Sequence, residues 1–186
     1  MNFAVLHDLL MPHMFGEIDS EGSSSVAILE ENDPCAKLKR IDICDVPNDS
    51  VLIKMDGSEE PYTLFLENHG QRKRCDYLLI MMLHGRGILL FMEMKSDNVK
   101  STEVEQKFMA SQCLWDYIVS MLGRFHDCPG MFASYKQRFI RFQKRKIQTK
   151  NIAKRGTRFP DGSSPELMKI VSNPKHQISL NDLVRR

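Results

Sequence analysis

The sequence has no Cys-x-x-Cys pair, and its five cysteines (35, 44, 75, 113 and 128) are odd in number and widely spaced. That argues against a structural zinc site and against a secreted disulfide framework. Several of these cysteines sit in apolar contexts and read as buried thiols. There is no Ser/His/Asp order, no phosphate-cradling glycine loop, and no clustering of the six histidines (7, 13, 69, 84, 126 and 176). Triad hydrolysis and nucleotide hydrolysis on a phosphate loop therefore have no support. No apolar run approaches the length of a membrane span. The first residues, Met1 to Asp8, lack a basic segment, and their apolar run is too short for a signal peptide. The expectation is a reducing, cytoplasmic setting with no membrane partner. Internal repeats and low-complexity tracts are also missing.

What is present is an ordinary globular composition: 186 residues, 42% hydrophobic and 27% charged. This length predicts one domain that can bury a core without disulfides or a structural metal. Two stretches stand out. Arg74-Cys75-Asp76-Tyr77-Leu78-Leu79-Ile80 and Ile88-Leu89-Leu90-Phe91-Met92-Glu93-Met94-Lys95 are apolar runs of the kind expected in buried strands. His84-Gly85-Arg86-Gly87 between them suits a hairpin turn. His84 lies in that turn, away from the strand end that carries Glu93 and Lys95.

Asp76, Glu93 and Lys95 interrupt this apolar pattern. A buried charge without a partner costs several kcal/mol, so such residues need a cation, a metal or a function. Glu93 and Lys95 are two apart and share one face of a strand. A hairpin brings Asp76 beside Glu93, and two converging carboxylates repel unless positive charge separates them. A divalent ion satisfies them, and Mg²⁺ suits one or two carboxylates plus a substrate phosphate. The competing structural reading pairs Asp76 with Arg74 or Lys95 and leaves Glu93 at the solvent end of its strand.

Asp76 followed by Glu93-Met94-Lys95 resembles the PD-(D/E)xK nuclease superfamily, the restriction-endonuclease-like fold. The matching core covers roughly residues 70 to 122. Cys75 stands where the family's motif has Pro. The resemblance implies an α/β (α+β) protein with a mixed central β-sheet flanked by helices. It also implies Mg²⁺ (or Mn²⁺) held by Asp76 and Glu93, with Lys95 assisting the attacking water. Many relatives add an upstream acid from an early helix. Glu17, Glu30 and Glu31 are available here, and Glu30 is the preferred candidate. The helix after the Glu-x-Lys strand often contributes a polar residue, and Gln106 is nearest by position.

Net charge is only +2, yet residues 128 to 160 contain no acid. Lys136, Arg138, Arg141, Lys144, Arg145, Lys146 and Lys150 lie in this block and are the candidate nucleic-acid-binding residues. A solvated basic surface with no partner is the bland alternative. The expected partner is nucleic acid, DNA before RNA, with a homodimer as a further option.

The remaining chain predicts a helix over 2 to 15, ended or kinked by Pro12, and mobile loops at 17–25 and 157–165. Residues 26 to 31 are open between strand and helix. Strands are expected over Leu38–Asp45, Val51–Met55 and roughly 138–147, with a strand or short helix at Tyr62–Leu66 and a short strand at Ile178–Leu180. A long helix should begin at the capping-box spacing Thr102-Glu103-Val104-Glu105 and end near Gly123, burying Val104, Phe108, Trp115, Ile118, Val119 and Leu122. The expected function is metal-dependent phosphodiester hydrolysis. The alternative is a catalytically inactive nucleic-acid-binding or protein-interaction module on the same fold.

Overall fold

The structure is a computed structural model describing residues 3–21, 24–56, 70–95, 100–144 and 161–185. In chain order these residues form α1 (Ala4–Leu9), β1 (Glu17–Glu21), β2 (Ser24–Glu30), β3 (Arg40–Val46), β4 (Val51–Lys54), β5 (Tyr77–Leu83), β6 (Arg86–Lys95), α2 (Ser101–Phe125), β7 (Lys136–Gln143), β8 (Lys169–Ser172), β9 (Gln177–Ser179) and α3 (Leu180–Val184). The protein is a mixed α/β molecule with two mixed sheets and one long helix. Five strands run in the order β4-β5-β6-β7-β8, and four in the order β1-β2-β3-β9.

The five-stranded sheet is built on the β5–β6 hairpin. His84 and Gly85 form its two-residue turn, with φ of 49° and 74°. Two successive positive φ values characterise the turn that matches strand twist, and Gly accommodates the second at least cost. β4 and β6 both pair antiparallel with β5, whereas β7 and β8 continue the sheet in parallel. Parallel pairing of β6 with β7 requires a crossover, and α2 is the long element within it.

Alternation sends the two faces of this sheet into different cores. Leu78, Ile80, Leu89, Phe91 and Phe139 meet Val104, Phe108, Trp115, Ile118 and Leu122 of α2. Leu79, Met81, Leu90, Met92, Met94, Ile140 and Phe142 meet Ala27, Leu29, Ile41 and Ile43 of the other sheet. Each large side chain so buried contributes about 1.5–3 kcal/mol. The layers thus run helix, sheet, sheet. The expectation of helices flanking a central sheet holds on one side only, because β2 and β3 each present an apolar face that needs cover.

Several local expectations change. The described residues of 17–25 are strand and not loop: β1 pairs with β2 from Glu17↔Ile28 to Glu21↔Ser24. An edge strand with one wet face needs little apolar content, so its Ser/Glu-rich sequence hid it. The described part of 157–165 is anchored: Phe139 donates to the Gly162 carbonyl at 2.9 Å and Gly162 donates to Leu167 at 2.7 Å. α1 stops at Leu9, and Pro12 opens a separate 3-10 turn over Pro12–Met14. α2 starts one residue before Thr102 with no side-chain cap, and it runs past Gly123 to Phe125. Residues 26–30 are strand. The Tyr62–Leu66 element and the end of the 138–147 strand lie outside the described residues. Among the described residues no helix is long and apolar enough to cross a membrane.

Candidate active site

Tyr77 pairs with Met92 across β5 and β6, so the same register continued by one residue sets Asp76 opposite Glu93. Both have the parity of Leu78 and Phe91, which turns their carboxylates toward α2. The approach to Asp76 is held from two sides. Met55 donates to the Asp76 carbonyl at 2.9 Å. The Cys75 N–H donates to Ser111 Oγ at 2.8 Å, and that hydroxyl donates to the Lys107 carbonyl one helical turn back.

Asp76 is 7% exposed and Glu93 is fully buried. Asp76 Oδ2 accepts the Met94 N–H at 2.5 Å. Lys95 Nζ lies 3.0 Å from Glu93 Oε1, as the shared strand face predicts. Lys107 Nζ lies 2.7 Å from the same oxygen and 3.8 Å from Asp76 Oδ1. Glu93 Oε2 is buried and has no hydrogen-bond partner among the described residues.

The electrostatics follow from burial and crowding. Burial first, then the Glu93 charge, raises the Asp76 carboxyl well above its usual range, against the pull of Lys107 and the Met94 N–H. Burial would lower the Lys107 ammonium, but Glu93, then Asp76, together outweigh it and hold the amine charged beyond the ordinary lysine range. Asp56, just beyond β4, is an exposed residue whose carboxyl is raised by partial desolvation from neighbouring atoms, and it also feels Lys107, Glu93 and Glu31. It is a third acid within electrostatic reach of the pair.

Thus Asp76, Glu93 and Lys95 converge, while other expected residues do not. Glu30 directs its carboxylate to Arg40 Nη1 at 3.4 Å, and only its main chain approaches, through both of its hydrogen bonds to the Tyr77 hydroxyl. Of the upstream acids, Glu31 is among the charges that raise Asp56. Gln106 is exposed and lies over Gly70, where an added Cβ would meet its Oε1 at 2.9 Å. The helix contributes Lys107 instead, one position and about 100° further round. A signal for it existed: Lys107 falls three after Val104 and four before Ser111, inside the buried stripe, where a lysine needs an anionic partner.

The basic block divides. Arg141, at 2% exposure, is the register partner of Glu93, so it belongs beside the buried acids and not on an open nucleic-acid surface. Lys136 and Arg138 have the parity of Ile140 and point to the other side of the sheet. With Leu83, His84, Arg86 and Ile88 they line a groove of about 610 Å³ near the hairpin turn. Lys144 is exposed at the strand end. Arg145, Lys146 and Lys150 lie outside the described residues.

Among the described residues no group of three or more His, Cys, Asp or Glu is placed to ligate one ion. Two carboxylates, one with an orphaned buried oxygen, still fit a hard dication that takes its remaining ligands from water and phosphate. Comparison with known proteins finds no matching family model, no matching curated protein and no matching solved structure.

Proposed function

We propose that this chain is a metal-dependent phosphodiester hydrolase of the PD-(D/E)xK type acting on nucleic acid, DNA before RNA. The observation that carries the reading is the fully buried Glu93 carboxylate facing Asp76 across an antiparallel register with two lysine amines on it. A structural ion pair needs one acid and one base. Two acids and two bases converging in a core, with one carboxylate oxygen unsatisfied, suit a site that handles charge during a reaction.

Asp76 and Glu93 would hold Mg²⁺ or Mn²⁺, which when bound polarises a phosphate oxygen and makes a water more acidic. Lys95 lies less deeply than Glu93 and directs its ammonium toward Glu93 Oε1. From there it orients the attacking water and stabilises negative charge building on the phosphate. The water oxygen bonds to phosphorus as the ester P–O bond breaks, and the leaving oxygen takes a proton. The Met94 N–H fixes one Asp76 oxygen, so the carboxylate needs little reorganisation during the step.

The test is cleavage of plasmid, single-stranded DNA and RNA with Mg²⁺ or Mn²⁺ and with chelator. Glu93→Ala and Lys95→Ala should each lower the rate by about 10²-fold or more. Cleavage that persists in both variants would remove this site from the reaction. One observation favours an inactive binding module as the second reading: Lys107 already neutralises the acid pair. Salt-sensitive, chelator-insensitive nucleic-acid binding without cleavage would select it.

A further inference from the structure

We propose that Lys107 is a resident counter-cation of the Asp76–Glu93 pair and that a divalent ion binds there by exchange with its ammonium. This rests on the metal-site reading of that pair, and it adds what sets the affinity of the site for the ion.

The two lysines are not equivalent. Among the described residues Lys95 ion-pairs with Glu93 and no other acid, at 3.0 Å. Lys107 spans both acids, 2.7 Å from Glu93 Oε1 and 3.8 Å from Asp76 Oδ1. That is where a cation shared by the two carboxylates would sit. The two carboxylates already face two ammoniums, and the Arg141 guanidinium stands in register beside Glu93. A dication added without exchange would place two further positive charges beside a half-buried ammonium, where the reduced dielectric makes repulsion stronger than in water. The oxygen it could take without displacing anything is Glu93 Oε2. Binding both carboxylates means removing the ammonium from between them.

Lys107 is suited to leave. Its flexible four-carbon stem is anchored in the second turn of α2, and its own side chain keeps 16% of its surface exposed, which gives the ammonium a route to solvent. Once it has moved away, the carboxylates exchange a monovalent partner for a divalent one and Lys95 stays in place. Lys107 is therefore a positioning residue: it offsets the repulsion between the buried acids without the ion, through one oxygen of each, and it opposes entry of that ion.

The experiment is titration of the full chain with Mn²⁺ alone, without nucleic acid, read by electron paramagnetic resonance. The variants are Lys107→Met, Lys107→Arg and Lys107→Met/Glu93→Gln. Lys107→Met should bind Mn²⁺ at least tenfold more tightly than wild type. Lys107→Arg, which keeps the charge, should stay within about threefold of wild type, and the double variant should lose the gain. Equal affinity in wild type and a natively folded Lys107→Met, or tight binding that survives Glu93→Gln, overturns the exchange.

Wild-type protein gives a second readout if Lys107→Met does not fold. The Lys107 side-chain nitrogen resonance should move to that of a solvent-exposed lysine as Mg²⁺ saturates. A resonance unchanged at saturation overturns the proposal. Both readouts are independent of cleavage, so an inactive wild type would count against the hydrolase reading and leave this result standing on its own.

Discussion

Asp76 stands where burial and a neighbouring carboxylate both oppose ionisation. A carboxyl raised in the folded state binds its proton more tightly there than in the unfolded chain. Its stability contribution is full below the ordinary Asp range and is lost as pH rises through the raised value. Without metal, wild-type stability should therefore fall across that window. Asp76→Asn, neutral at every pH, should remove the fall. It should also be more stable than wild type at neutral pH while losing cleavage. Thermal denaturation in chelator from acid to neutral pH checks this, and a wild type with flat stability would contradict it. The residue scale also shows how much of the site the sequence carried. Asp76, Glu93 and Lys95 were legible because a charge inside an apolar strand run is anomalous on its face. Lys107 was not, because a lysine on a helix is ordinary until the rotation that turns it inward is known.

The elements were legible where their periodicity was one-sided. β5 and β6 announce themselves by apolar runs around a glycine turn, and α2 by its buried stripe. β1 does not, since its polar Glu-Ile-Asp-Ser-Glu sequence resembles a loop and becomes a strand only through its partner. The second sheet was for this reason seen as separate strands and not as a layer. One hydroxyl ties that layer to the site: Tyr77, next to Asp76, accepts from the Glu30 N–H at 2.9 Å and donates to the Glu30 carbonyl at 2.8 Å. Tyr77→Phe leaves both main-chain groups without this partner and should cost about 1–2 kcal/mol. Equilibrium unfolding measures the loss. Faster amide exchange at Glu30 than at Leu29 would place it at the end of β2.

On the scale of the whole molecule, the acids and the basic groove lie apart. Lys136 pairs with Ile88 and Arg141 with Glu93, five positions along the strands and hence about 17 Å. The groove also opens on the opposite side of the sheet. Under the hydrolase reading, a substrate held at both places is gripped remotely from where it is cut. Lys136→Glu/Arg138→Glu should then raise KM at least tenfold and lessen its salt dependence, with kcat within about twofold. Cleavage assays at 50 and 200 mM salt test this; a collapse of kcat with unchanged KM would refute the separation. The order of the sheet has one more consequence, felt on the ribosome. Asp76, Glu93 and Lys107 all emerge before β7, yet β6 acquires its second neighbour only when β7 arrives. During that interval the apolar centre of β6 presents an unpaired rim, an invitation to aggregation that chaperones commonly shield in nascent chains.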